Sequence, residues 1–111
     1  MPGYFNTATD ATLSGRIEIT PRISAADLDR LPSFEYIKVV LEYGNPDDGY
    51  VAVVLPGSEA PLSTASVSRE VRDVIAAFPG HEFNGVLDRQ AGEQFGGAFS
   101  RIGVLGHDVK F

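Results

Sequence analysis

Alternation of apolar and polar residues predicts strands in several parts of the chain. Residues 13–20, LSGRIEIT, have an apolar or small residue at every second position, which is the period of a strand with one buried face. Residues 34–43 and 50–55 are rich in β-branched and aromatic residues, and the turn formers GNPDDG separate them, so we expect an antiparallel hairpin. Residues 81–88 and the segment around Ile102 predict further strands, and the closing VKF predicts a short one.

The same alternation predicts two faces for the sheet. One face is expected to pack on helices, and its side chains are Leu13, Gly15, Ile17, Ile19, Ile37, Val39, Leu41, Val51, Val53, Leu55, Phe83, Gly85 and Leu87. The other face is expected to present Tyr36, Val40, Tyr50, Ala52, Val54 and Val86. Apolar residues are unusual on an exposed antiparallel sheet, so Tyr36, Val40, Tyr50, Ala52 and Val54 are predicted to bind a protein.

A helical period appears in two segments. A strong stripe predicts a helix that ends in FPG and buries Val67, Val71, Val74, Ile75 and Phe78. A shorter helix is expected after Ser24, whose hydroxyl can cap the backbone N–H of Asp27, and Pro32 limits its length. Pro79 and Gly80 occupy the two central places of a predicted type II turn.

The order of these elements predicts an α+β fold. Strand, helix, strand, strand, helix, strand and a terminal hairpin indicate a ferredoxin-like split βαβ sandwich. We expect four to six antiparallel strands with two helices on one face; the alternative is a small open barrel. The 111 residues predict a single domain, 1–111, with a loose N-terminus at 1–12.

Composition narrows the compartment and the partners. The chain has no cysteine, no signal-peptide pattern and no apolar run long enough to span a bilayer, so we expect a cytoplasmic protein that does not bind membranes. Its formal charge of -6 comes without a basic patch, which disfavours nucleic acid as a partner.

The dipeptide His81-Glu82 raises the question of a metal or acid/base site. Strand alternation directs the two side chains to opposite faces, and a zincin would need a second histidine four residues after the first, on a helix. The other histidine, His107, is 26 residues away. The glycines lack the following helix and Lys-Ser or Lys-Thr pair of a phosphate loop. We therefore expect no cofactor, no metal and no enzymatic activity.

Short motifs give a resemblance. GYF near the N-terminus, SGRIEITPRIS, VVLPG, FPGHEFNGVLD and the closing GHDVKF resemble a family of short actinobacterial and actinophage proteins of unassigned function. Members usually carry a longer C-terminal extension than this chain. The resemblance implies an actinobacterial or phage source, and the host cytoplasm as the compartment if a phage encodes the protein. It implies no catalytic residue.

Three functions are compatible with the sequence. The first is an accessory protein that binds a host protein or a second copy of itself, the latter giving a homodimer. The second is a small-ligand-binding protein with a pocket between subunits or under the connector 56–64, supplied by Tyr36, Tyr50, Arg16 and Lys38. The third is an enzyme that uses the outward carboxylates of Glu18, Glu82 and Asp88. We expect the first.

Overall fold

The structure is a computed structural model that describes residues 11–43, 50–58, 63–91 and 99–111. In chain order its elements are β1 (Thr12–Thr20), α1 (Ala25–Leu28), β2 (Ile37–Tyr43), β3 (Tyr50–Pro56), α2 (Thr64–Ala77), β4 (Glu82–Gln90), β5 (Phe99–Gly106) and β6 (Asp108–Lys110). Of the segment predicted to be loose, residues 1–10 lie outside the described residues, and Thr12 already belongs to β1.

The strands form one sheet with the order β2-β3-β1-β4-β5-β6, and all neighbouring pairs are antiparallel. The predicted α+β class, with an antiparallel sheet and two helices, is confirmed. β1 pairs along its whole length with β4, from Thr12 opposite Gln90 to Thr20 opposite Glu82. The C-terminal hairpin of β5 and β6 extends the sheet beyond β4.

The helices cover one face of the sheet and close a core against it. The predicted stripe of α2 is confirmed, because Val67, Val71 and Val74 are fully buried in one cluster with the sheet residues Ile17 and Ile19. Leu28 of α1 packs against the same cluster. The Ser24 cap is also as predicted, since its Oγ accepts the backbone N–H of Asp27 at 3.1 Å. Neither helix has the length and apolar character needed to cross a membrane, within the part of the chain that the structure describes.

A carboxylate from α2 fixes the start of β2. The two oxygens of Glu70 accept the backbone N–H groups of Glu35 and Tyr36, each at 2.8 Å. The carbonyl of Tyr36 in turn accepts the N–H of Gly57 at 2.8 Å. Hydrogen bonds to an ionised acceptor are stronger than neutral ones, so this contact anchors the edge strand to the helix.

Two glycines allow β1 and β4 to approach closely. Gly15 has φ 104° and Gly85 has φ 154°, backbone conformations that side chains rarely adopt. A Cβ built at Gly15 would overlap the carbonyl oxygen of Val86, and one built at Gly85 would overlap that of Arg16. Any side chain at either position would therefore push the central strands of the sheet apart.

The faces predicted for β3 are reversed. Ala52 and Val54 belong to the core cluster, whereas Val53 lies outside it. Strand alternation places Val51 and Leu55 on the same face of the sheet as Val53. The cause is the hairpin register, in which Tyr43 pairs with Tyr50 and Leu41 with Ala52. Since Leu41 packs against the core, the even-numbered residues of β3 must face it too. We call the sheet face away from the helices the open face.

The turn after α2 differs in type from the prediction. The backbone N–H of His81 donates to the carbonyl of Phe78 at 3.1 Å, so a turn closes at this place. A type II turn requires a positive φ at its third residue, Gly80. Among the described glycines, positive φ occurs at Gly15, Gly85 and Gly106, and Gly80 is not one of them. The type II assignment is therefore wrong.

Candidate functional site

Three of the five predicted contact residues lie in the core rather than on the open face. Tyr36 is 6% exposed, and Ala52 and Val54 are fully buried in the cluster that includes the α2 residues. Val40 does lie on the open face, opposite Val53, and is half-buried. The side chain of Tyr50 lies outside the described residues. The prediction that Tyr36, Ala52 and Val54 are exposed is wrong, because the hairpin register and the Glu70 anchor turn them inward.

The open face carries a row of cations across the strands. Arg16 on β1 lies opposite Val86 on β4, Val86 opposite Gly103 on β5, and Gly103 opposite Lys110 on β6. We call the line from Arg16 to Lys110 the cationic row. Lys38 on β2 continues the row on the far side of β3. It pairs with Leu55, and Leu55 lies beside Arg16 because the preceding residue, Val54, pairs with Ile17.

A row of acids runs beside it, two residues further along β1. Glu18 lies opposite Asn84, Asn84 opposite Leu105, and Leu105 opposite Asp108. We call this line, from Glu18 to Asp108, the acidic row. Two residues further along β1, Thr20 pairs with Glu82 on β4. At the same level, Val51 on β3 pairs with Glu42 on β2. The open face therefore has one cationic side and one acidic side.

On β1, β2 and β3 an ion pair covers the apolar residue at the centre of these three strands. Arg16 Nη1 lies 2.8 Å from Glu42 Oε1, and Arg16 Nη2 lies 3.3 Å from Glu18 Oε1. Arg16 on β1 lies level with Leu55, and Glu42 on β2 pairs with Val51. Val53 lies between these two positions on β3, so the ion pair passes over it. Val53 is fully buried as a result. We call the open face of these three strands the covered half.

On β4, β5 and β6, which we call the bare half, an apolar side chain stands uncovered. Leu105 is 72% exposed, and the other large hydrophobic residues of the described chain with high exposure, Phe99 and Phe111, lie at the ends of the same hairpin. Next to Leu105 is a groove of about 430 Å³, lined by Asn84, Val86, Gly103, Leu105, Asp108 and Lys110.

Gly103 forms the floor of this groove. A Cβ added there would meet no atom nearer than the carbonyl oxygen of Lys110, 4.0 Å away, and the residue does not have a positive φ. Space for a side chain therefore exists above Gly103, and the chain leaves it unfilled. We call this feature the C-terminal groove.

An ion pair borders the bare half. Arg101 Nε lies 2.7 Å from Asp88 Oδ1 and Arg101 Nη2 lies 3.1 Å from Asp88 Oδ2, a two-point contact between neighbouring strands. The hydrogen bond from Arg101 lowers the pKa of the Asp88 carboxyl, and the same contact raises the pKa of Arg101. The Arg101 guanidinium also lies 5.7 Å from the centre of the Phe99 ring.

The two histidines come close but do not form a metal site. His107 Nε2 lies 2.6 Å from the backbone oxygen of His81, so the ring contacts the main chain rather than the other imidazole. His107 packs against Phe83, and His81 against Phe78. Nδ1 of His81 is buried without a hydrogen-bond partner. Within the described residues no group of three His, Asp or Glu side chains could hold a metal ion.

The residues proposed for the other two functions do not converge. Glu18 and Glu82 are diagonal neighbours on β1 and β4, whereas Asp88 lies six residues from Glu82, roughly 20 Å along the strand. For the ligand pocket, Tyr36 is in the core while Arg16 and Lys38 lie on the open face, so the sheet separates them.

Leu105 and Gly103 were not among the predicted contact residues. In the run Ile102-Gly103-Val104-Leu105, Val104 and Leu105 are adjacent apolar residues of a single strand. Since adjacent strand residues face opposite sides, one of the two must lie on the open face, and this was the available signal.

Comparisons of the chain with protein-family models, with curated proteins and with solved structures found no match. The function is therefore inferred from the geometry of the open face.

Proposed function

We propose that the protein is a small non-enzymatic binding protein that contacts another protein through the bare half of its sheet. The observation that carries this proposal is Leu105, 72% exposed beside the C-terminal groove. An exposed apolar side chain beside an open groove is typical of a surface that binds another protein. The charges of Asp108 and Lys110 at the edge of the groove supply the polar rim.

The covered half supports the choice of the bare half. Arg16 and Glu42 are already paired with each other, and Val53 beneath them has no exposed surface to offer. Lys110 and Asp108 make no ion pair with the other described residues. Their charges are therefore available to a partner without breaking an existing contact.

The resemblance to short actinobacterial and actinophage proteins makes a host protein one partner to test, with the cytoplasm as the compartment. We also infer a ferredoxin-like arrangement for the first four strands. The support is their order, β2-β3-β1-β4, in which β3 lies between β1 and β2 and both helices contribute to one core.

Thiol protection tests the site without knowledge of the partner. The chain has no cysteine, so Asn84→Cys places a single thiol on the open face beside the groove, and Ala76→Cys places one on the exposed side of α2 as a matched control. Reaction with a small thiol reagent is followed in purified protein at rising concentration, and then in diluted protein with actinobacterial cell extract.

The proposal predicts slower reaction at position 84, and an unchanged rate at position 76, in at least one of the two conditions. Equal rates for both thiols in every condition would contradict it. Protection at position 76 alone would also contradict it, because the contact surface would then be the helical side.

A further inference from the structure

We propose that the bare half binds a second copy of this chain, with the two open faces packed together about a twofold axis that runs across the strands between the cationic and acidic rows. This inference rests on the proposed function and names its partner. Its basis is the charge pattern of the cationic and acidic rows, which brings opposite charges together under one of two rotations.

Two twofold rotations stack one sheet face on another with the strands kept nearly aligned. An axis across the strands exchanges the two rows, so Arg16 of one copy faces Glu18 of the other and Lys110 faces Asp108, while Lys38 faces Val40. An axis along the strands leaves each row facing the same row with the strand order reversed, so with full overlap Lys38 of one copy meets Lys110 of the other. Like charges placed opposite each other disfavour association, and the first rotation is therefore selected.

The selected rotation also matches the shapes of the two surfaces. On β5 the cationic row contains Gly103 and the acidic row contains Leu105, so the rotation exchanges their positions. Leu105 of each copy then enters the groove above Gly103 of the other. On β6 it exchanges Asp108 and Lys110, so these two charges face each other twice.

The geometry agrees with known sheet packing and interface sizes. Reversing the strand direction keeps the strands of the two sheets nearly aligned, which is the common arrangement for sheets stacked about 10 Å apart. A six-stranded face is roughly 24 Å wide at about 4.8 Å per strand. The bare half makes up about half of this width, which gives a contact of the small size that weak, transient interfaces have.

A charge exchange on β6 tests the pairing, with sedimentation velocity as the measurement. Asp108→Lys alone sets two lysines against each other in the dimer, and Lys110→Asp alone sets two aspartates against each other. Each single variant is expected to weaken dimerisation at least tenfold. The double variant Asp108→Lys with Lys110→Asp restores both opposite pairs and is expected to dimerise like the wild type. An equimolar mixture of the two single variants is expected to form a heterodimer.

Asp73→Lys serves as a matched control, because it makes the same charge change on the exposed side of α2, away from the open face. Each variant is also checked by thermal melting, so that loss of the dimer is not confused with loss of the fold.

Three results would overturn the inference. A wild type that stays monomeric up to about 1 mM excludes the second copy, whereas the protection of Asn84→Cys by cell extract would still stand as evidence for a different protein partner. A wild-type dimer that both single variants leave intact places the interface elsewhere. Single variants that are weakened but do not recover in the mixture or in the double variant exclude this twofold axis.

Discussion

The covered and bare halves of the open face have similar apolar residues and different surroundings. Val53 in the covered half and Leu105 in the bare half both lie on the open face, in line with the acidic row. Val53 is fully buried and Leu105 is 72% exposed. The difference lies in the neighbouring strands, because Arg16 reaches Glu42 across Val53, whereas β5 has Gly103 beside Leu105.

This comparison shows that alternation along a strand does not by itself determine exposure. A long charged side chain covers apolar surface with its aliphatic stem and places its charge at a partner on the next strand but one. An antiparallel sheet can therefore bury an apolar residue on the face that has no helices. Where such a cover is missing, the same kind of residue stays exposed, as Leu105 does.

The largest effect is expected at Val54, a residue of β3 that faces the core. Val54→Asp places an unpaired charge in the core and should unfold the protein, since the cost of several kcal/mol is comparable with a total stability of about 5–15 kcal/mol. Leu55→Asp is on the open face opposite Lys38 and should remain folded. Circular dichroism melting distinguishes the two variants. A cooperative melt of Val54→Asp near the wild-type temperature would contradict the observed register.

A smaller loss is expected where the covered half is attached to α2. Glu70→Ala removes the acceptor of two backbone N–H groups at the start of β2 and should lower the free energy of unfolding by about 2 kcal/mol. Glu70→Gln keeps one acceptor oxygen, so its free energy of unfolding should lie between those of the wild type and Glu70→Ala. Urea unfolding measures the loss, and Arg69→Ala on the exposed side of the same helix is the control. Equal effects of the two alanine variants would show that the anchor contributes nothing.

Removal of the cover should make the covered half resemble the bare half. Arg16→Ala breaks the contact with Glu42 and exposes Val53, and we expect a loss of about 1–2 kcal/mol from the packing of a buried valine. Urea unfolding together with binding of a hydrophobic dye measures both effects. If stability falls without any gain in dye binding, the ion pair does not shield Val53.

The smallest effect is expected at the border of the bare half and depends on pH. The pKa of Asp88 is lowered by Arg101 in the folded protein, so its contribution to stability is present above the ordinary aspartate pKa and is lost as pH falls through the lower folded value. Wild type should therefore be more stable than Asp88→Asn at about pH 6, and the difference should shrink toward about pH 2. A difference that grows on acidification would contradict the direction of the shift.

Much of the fold follows from the sequence, and the register of one hairpin explains most of the rest. The α2 stripe, the Ser24 cap and the inward residues of β1 and β4 were predictable because each has one clearly apolar face. YVAVVL is apolar on both faces, so alternation gives two solutions for β3. The direct pairing of Tyr43 with Tyr50 selects one of them, because it sets Leu41 beside Ala52.

The candidate site was less accessible to sequence analysis. The cover over Val53 comes from residues on two strands that flank β3, a contact that depends on strand order. The C-terminal groove depends on Gly103 and Leu105 of β5 lying beside both β4 and β6. Neither arrangement produces a local pattern in the chain, so both became visible only from the assembled sheet.

The most direct test of the central claim is an intermolecular nuclear Overhauser effect measured in a mixture of isotope-labelled and unlabelled protein. Isotope filtering removes contacts within one chain. A dimer of stacked open faces should give a signal between the methyl groups of Leu105 in one copy and the α-protons of Gly103 in the other. Intermolecular signals from α2 instead of Leu105, or none at concentrations where the protein is dimeric by sedimentation, would contradict it.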